Sequence, residues 1–297
     1  MKIGLIDVDS HNFPNLALMK ISAWHKAQGD EVEWWWGRGQ YDRVYKSKVF
    51  DDSYSPDHPD PVNTTEIIKG GTGYGLDNKL PDEIEHMMPD YSLYPQFQDT
   101  AYGFLSRGCP RGCPFCIVAA KEGRRSYKVA DLAEWWSGQK NIVLCDPNIL
   151  ACREHLDLLN QLAASGAKVD INQGLDARLL TEDNITALRG IRLKEIHFAW
   201  DLMRYTDGIL EGLDLWKKLG KKDAHGSWGT VYVLVNYDTT MRENLFRIYE
   251  LDSMGFDPYV MVYDKPNAPK EIRHLQRWCN NKRIFKSCTF EEYKEML

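Results

Sequence analysis

From residue 100 onward the sequence alternates between short apolar runs and longer stretches with helical apolar spacing, and this alternation restricts the fold more than any other feature. Six strand-like runs recur, at residues 101–105, 141–145, 168–172, 195–199, 229–235 and 259–262. Between them lie amphipathic segments such as residues 152–165, with Leu156, Leu159, Leu162 and Ala163 at helical spacing, and residues 181–189. Strands joined by crossovers of helix length pair in parallel, whereas tight turns join antiparallel ones. Parallel strands are covered on both faces and so read as continuous apolar runs. Regular alternation therefore specifies an α/β fold whose parallel sheet curves into a barrel or part of one, with ligands at the carboxyl ends of the strands.

The first part of the chain repeats the theme on a smaller scale. Residues 2–8 read as a strand, and residues 15–27 have helical spacing (Leu16, Leu18, Met19, Ile21, Trp24) with Pro14 near the first turn. A proline costs little there because the N–H it lacks has no intrahelical partner. Gly29-Asp30 makes a stop, residues 31–36 form a second strand, and residues 48–50 and 66–69 are shorter strand candidates. This order predicts a small Rossmann-like, doubly wound domain. Residues 77–98 carry Pro81, Pro89 and Pro95, which break any long element, so they read as the link to the second domain. The expected domains are residues 1–88 and 89–297. The glycine run from Gly70 to Gly75 lacks the G-x-G-x-x-G order of a dinucleotide fingerprint and suits equally a backbone approach to a ligand or a flexible turn.

Composition excludes several classes. The chain has 297 residues, 43% hydrophobic and 27% charged, as in an ordinary globular protein. The apolar run at the N-terminus meets Asp7 and Asp9 at once, too soon for a signal peptide, and no apolar stretch approaches the roughly 18 residues of a membrane span. A cytoplasmic location is therefore expected, where seven cysteines serve as ligands or buried thiols rather than disulfides. A net charge of −6 argues against an extended nucleic-acid surface. Lys121, Arg124, Arg125 and Lys128 form one local basic patch, which a solvated helix face explains equally well. Packing in the core is the favoured role for Trp34-Trp35-Trp36 and Trp135-Trp136.

The chemistry concentrates in Ser106-Arg107-Gly108-Cys109-Pro110-Arg111-Gly112-Cys113-Pro114-Phe115-Cys116. Three cysteines at C-x3-C-x2-C spacing offer soft thiolates, the ligands of iron–sulfur clusters. A closed zinc site needs a fourth ligand nearby, yet no Cys or His follows Cys116 for twenty residues, and Cys145 sits in an apolar run. A four-iron cluster on three thiolates keeps one iron free for another ligand. With Phe115 before the last cysteine, this pattern resembles the radical S-adenosylmethionine (radical SAM) superfamily, and six βα units match its partial (β/α)6 TIM-like barrel.

The resemblance implies a [4Fe-4S] cluster on Cys109, Cys113 and Cys116, with S-adenosylmethionine (SAM) on the open iron. Reductive cleavage of SAM then gives a 5′-deoxyadenosyl radical that attacks a substrate the sequence does not identify. It also implies an electron donor such as flavodoxin or ferredoxin. Phe115 belongs to the cofactor-binding motif. The second strand ends in Asp146-Pro147-Asn148 where the family commonly has Gly-Gly-Glu, so Asp146 and Asn148 are polar substitutes for holding the cofactor. At the end of the third strand, Asn172, Gln173 and Arg178 are candidates for its ribose or carboxylate, while Asp176 equally suits a helix cap. His197, Trp200, Asp201, Asn236, Tyr237, Tyr263 and Asp264 stand at later strand ends as candidate substrate-facing residues.

The N-terminal segment resembles the cobalamin-binding domain that precedes the barrel in one large radical SAM class. Asp9-Ser10-His11-Asn12-Phe13-Pro14 is similar to its D-x-H-x-x-G loop, with Pro14 in place of glycine. Cobalamin is thus a further cofactor the resemblance allows, with a cobalamin-dependent radical SAM methyltransferase as the rival enzymatic reading. A non-catalytic iron–sulfur binding or sensing protein is the other alternative, suggested by the departure at Asp146-Pro147-Asn148.

Overall fold

The computed structural model describes residues 1–11 and 13–296; Asn12, within the Asp9–Pro14 stretch, and Leu297 lie outside the described residues. In chain order, β1 (Lys2–Asp7), α1 (Leu16–Ala27), β2 (Glu31–Trp34), β3 (Tyr41–Ser47) and β4 (Thr64–Gly70) come first. The short helix α2 (Asp82–Glu85) precedes β5 (Thr100–Gly103), β6 (Ser106–Arg107), α3 (Val118–Glu122) and β7 (Tyr127–Lys128). Next come β8 (Asn141–Leu144), α4 (His155–Ser165), β9 (Lys168–Leu175), α5 (Glu182–Gly190), β10 (Arg192–Ala199), α6 (Thr206–Leu219) and β11 (Thr230–Val235). The chain finishes with α7 (Met241–Ser253), β12 (Asp257–Val262), α8 (Lys270–Asn280), α9 (Lys282–Phe285) and α10 (Phe290–Glu295).

The strands form two main sheets. The smaller has the order β2-β1-β3-β4, every pair parallel. Strand order reverses between β1 and β3, and in open parallel sheets ligands lodge in the crevice at such a reversal. The loop after β1 enters that position, where the Asp9 carboxylate accepts the Val49 and Phe50 N–H groups at 2.7 and 2.9 Å. Residues 48–50 are therefore not a strand, as their apolar pattern suggests. They form the turn leaving β3: the Lys48 amide still reaches the Gly70 carbonyl of β4, but those of Val49 and Phe50 are capped by the Asp9 side chain. Gly71 lies at φ +94, and a Cβ there would sit 2.2 Å from the Lys48 carbonyl, so the glycine run packs against this same turn. The core of this sheet joins Ile3, Leu5, Leu18, Ile21, Tyr45 and Ile84, with Trp24 and Trp34 packed against them.

The larger sheet has six strands in the order β12-β11-β10-β9-β8-β5, so each sequence-predicted strand from residue 101 onward is found beside its predecessor. Strands β9 to β12 pair in parallel. Their buried positions, among them Val169, Ile171, Ile196, Phe198, Val231, Val233 and Val260, are the β-branched and aromatic residues that suit a covered sheet. On one face Phe198 meets Trp216 of α6, with ring centroids 5.8 Å apart. Helix starts obey local chemistry: Thr181 and Thr240 open α5 and α7 with capping boxes closed by Asn184 and Glu243. Helix α4 buries Leu158, Leu159 and Leu162, whereas Leu156, expected in the apolar stripe, is 38% exposed. Contacts divide the chain into two compact units, Met1–Gly103 with Ala130–Ile142, and Phe104–Val129 with Val143–Leu297. The cysteine loop belongs to the second. Among the described residues no helix is long and apolar enough to cross a membrane.

Candidate functional site

The three cysteines lie on the segment between β6 and α3, whose flanks β6 and β7 pair as a short antiparallel ribbon. The loop closes on itself through its backbone. Cys109 N–H donates to the Gly123 carbonyl at 3.2 Å, and Cys116 N–H donates to the Cys113 carbonyl at 3.0 Å. Glu122 closes the base, accepting from Arg107 Nη1 at 2.7 Å and from Gly108 N–H at 3.1 Å. Two glycines make the path sterically allowed. Gly108 has φ +78, and a Cβ there would stand 2.1 Å from the Arg125 carbonyl; Gly112 has φ +57, and its Cβ would meet the Arg124 guanidinium. Arg124 is thus pressed against the loop rather than being only a solvated helix-face residue.

Asp146 lies directly beneath the loop. Its carboxylate accepts Leu105 N–H at 2.7 Å, Ser106 N–H at 2.6 Å and Ser106 Oγ at 2.6 Å, which ties the end of β8 to the entry of the loop. Burial pushes the carboxyl up to about 7 against the opposing pull of these bonds. Two residues on, Asn148 Nδ2 donates to Cys109 Sγ at 3.5 Å, while its Oδ1 is buried without a hydrogen-bond partner. A buried acceptor left open beside a ligand sulfur is costly unless a bound group supplies a donor.

A charged lattice flanks the other side. Arg111, between the first and second cysteines, donates from Nε to Asp176 Oδ2 at 2.5 Å. Arg178 reaches the same carboxylate from Nε to Oδ1 at 2.7 Å and from Nη2 to Oδ2 at 3.0 Å, and lies 4.1 Å over the Tyr205 ring. Asp176 also caps the turn at residues 177–179 by accepting Arg178 N–H. It is therefore both the cap and the clamp that joins the loop to the end of β9. Asn172 is partly exposed and Gln173 exposed along the same strand. The Asn172 carbonyl accepts Tyr232 Oη at 2.9 Å.

Phe115 packs edge-on against Tyr237, which packs edge-on against Tyr263, with centroids 5.2 and 5.0 Å apart. Asn236 Nδ2 donates to the Tyr263 carbonyl at 2.8 Å, joining the exits of β11 and β12. Trp200, although at a strand end, is fully buried, and Asp201 beside it is raised by burial to about 6 despite the Arg247 charge. Arg247 itself is fully buried and binds the carbonyls of Trp200, Asp201 and Leu234 at 2.7, 3.1 and 2.8 Å. Its role was not readable in the sequence. Arg111 was readable in principle, as a cation set between two cysteines.

Among the described residues, the group whose ligand atoms converge within 4.8 Å is Asp170, Glu195 and His197, not the cysteines. Burial is the largest cause raising the Cys113 and Cys116 thiols, reinforced by neighbouring thiolates and Asp201. Such crowding of negative charge is relieved by metal, which deprotonates a coordinating thiol outright.

No protein-family profile matches the chain, and no curated protein matches it by sequence. Its fold is similar to solved structures of a radical SAM methyltransferase, TsrM from Kitasatospora setae. One holds cobalamin and a [4Fe-4S] cluster; it superposes with a TM-score of 0.63 at 9% identity, over 88% of this chain and 72% of that one. The other holds tryptophan substrate and the SAM analogue aza-SAM, with a TM-score of 0.63, 10% identity and the same coverage. At such identity the likeness is one of fold.

Proposed function

We propose that this chain is a radical SAM enzyme that carries a [4Fe-4S] cluster on Cys109, Cys113 and Cys116 and acts on a substrate not yet identified. In this reading the smaller sheet is a Rossmann-like, cobalamin-domain-like fold and the larger a partial (β/α)6 barrel. The observation that carries it is the loop itself: three thiols held by left-handed glycines and a closed backbone, with no fourth cysteine in the loop, beside the open acceptor of Asn148.

When bound, the cluster and SAM supply a 5′-deoxyadenosyl radical by one-electron reductive cleavage, the electron coming from a donor such as flavodoxin or ferredoxin. The chain's own residues bind and orient. Asn148 offers Oδ1 to a cationic amino group and steadies Cys109 through Nδ2. Arg178, held by Asp176 and Tyr205, presents positive charge for a carboxylate. Asp146 acts through the loop, whose entry it anchors. Phe115, Tyr237 and Tyr263 form an apolar wall that excludes water from a reactive intermediate. Anaerobic reconstitution followed by dithionite and SAM is expected to yield 5′-deoxyadenosine, and Cys113→Ala to abolish both the four-iron spectrum and this product. A fully loaded cluster that releases none would favour the binding or sensing reading.

A second reading, a cobalamin-dependent methyltransferase, draws on His11. It is exposed at φ +50 in the loop leaving β1, and a fold neighbour was solved with cobalamin. Asp9 is engaged with Val49 and Phe50, so His11 would act without it. A shifted visible spectrum of hydroxocobalamin on the purified chain, lost in His11→Ala, is the expected result for that reading.

A further inference from the structure

Away from the cysteine loop, on the sheet face opposite Phe198, Asp170 of β9 and Glu195 and His197 of β10 bring their ligand atoms within 4.8 Å of one another. His197 is 7% exposed and its ring is fixed on both sides. It stacks on Tyr232 with centroids 5.1 Å apart and planes 14° from parallel, and Nδ1 lies 2.9 Å from the Ile171 carbonyl. A carbonyl can only accept, so Nδ1 carries a hydrogen, while Nε2 faces Glu195 Oε2 at 3.7 Å. Metal-bound imidazoles are held in this way, with the far N–H on a backbone carbonyl. Asp170 Oδ1, 3.6 Å from His197 Nδ1, is buried with no hydrogen-bond partner. A second imidazole, His225 Nε2, stands 3.5 Å from the other Glu195 oxygen.

We infer that Asp170, Glu195 and His197 form a binding site for a first-row divalent cation, with His225 available as a fourth ligand. One or two imidazoles with two carboxylates suit Zn2+, Fe2+ or Mn2+ rather than the softer ions that thiolates take. A cation would give Asp170 Oδ1 the partner it lacks and would neutralise two carboxylates that otherwise face each other. The site joins β9 and β10, with Asp170 five residues before Leu175 in the chain. It is thus separate in the fold from the turn that clamps the cysteine loop.

The test uses cluster-loaded protein, so that the cysteines are occupied, dialysed anaerobically against Zn2+ and assayed for zinc and iron by mass spectrometry. One zinc per chain is expected on the wild type, and at least tenfold weaker binding in Asp170→Asn/Glu195→Gln, with iron content unchanged. No zinc on the loaded wild type, or undiminished zinc on the double variant, overturns the inference. Should the double variant not fold, X-ray absorption of the wild-type zinc decides. A shell of N/O ligands at roughly 2.0–2.2 Å with imidazole scattering supports the site, and sulfur at roughly 2.3 Å overturns it.

Discussion

Replacing Asp176 by asparagine tests whether the cysteine loop is held to the sheet by charge. The amide oxygen of Asp176→Asn keeps Oδ1's place, preserving the cap on Arg178 N–H and the 2.7 Å bond from Arg178 Nε. Its Nδ2 replaces Oδ2 and confronts two donors, Arg111 Nε and Arg178 Nη2. Two charge-assisted bonds are lost, each about 1.5–3 kcal/mol. The arginine side chains are 32% and 20% exposed, so water replaces part of this and the net cost falls to about 2 kcal/mol. Arg178 stays stacked on Tyr205, so the loss falls mainly on Arg111 and the loop. Guanidinium denaturation of the reduced apo chain, in a double-mutant cycle with Arg111→Leu, is expected to give a coupling energy of about 1 kcal/mol. Amide exchange at residues 109–113 should quicken in either variant. A coupling within about 0.3 kcal/mol of zero, with unchanged exchange, would refute the clamp.

Three further outcomes can be checked. Gly108→Ala forces a left-handed alanine, about 1–2 kcal/mol, and a collision with the Arg125 carbonyl, about 1–3 kcal/mol more, so iron bound per chain after reconstitution should fall well below wild type. Arg247→Leu leaves the Trp200, Asp201 and Leu234 carbonyls without the guanidinium donor and should cost about 3–5 kcal/mol in denaturation; a loss under about 1 kcal/mol would show that those acceptors find other partners. Asp146 is raised from 3.8 to about 7, so the folded chain holds this proton where the unfolded chain has released it. Its stabilising contribution is full below about pH 4 and lost as pH rises through about 7. Denaturant midpoints from pH 5 to 8 should therefore fall more steeply for wild type than for Asp146→Asn.

The strands and helices were legible because their signals are local. Thr181 opens the stretch read as helical over residues 181–189, and the apolar runs announce buried parallel strands. Residues 48–50 misread because an apolar triplet looks the same in a strand and in a turn whose amides are capped by Asp9, about forty positions earlier. Leu156 misread because the buried stripe of α4 runs through Leu158, Leu159 and Leu162 and leaves Leu156 at its edge, which depends on what the helix packs against. The spacing of the cysteines was legible in the sequence, but their surroundings were not. Asp146 and Asn148 differ by only two residues, yet one is spent on backbone amides and the other points an open acceptor beside Cys109. Asp176 takes the capping role that the sequence offered, and its two oxygens let it also bind two guanidinium groups that the sequence did not pair with it.

By itself, then, the sequence determined the alternating α/β architecture and the placing of Cys109, Cys113 and Cys116 together in one loop, because periodicity and motif spacing are properties of neighbouring residues. Tertiary structure alone decided the pairing of Arg111 with Asp176 across 65 positions, the burial of Arg247 under two strand ends and the meeting of Asp170 with Glu195 and His197. These depend on sheet register and helix docking, which are set by the packing of the whole core, and no local pattern encodes which distant side chains that packing brings within hydrogen-bond or ligand distance.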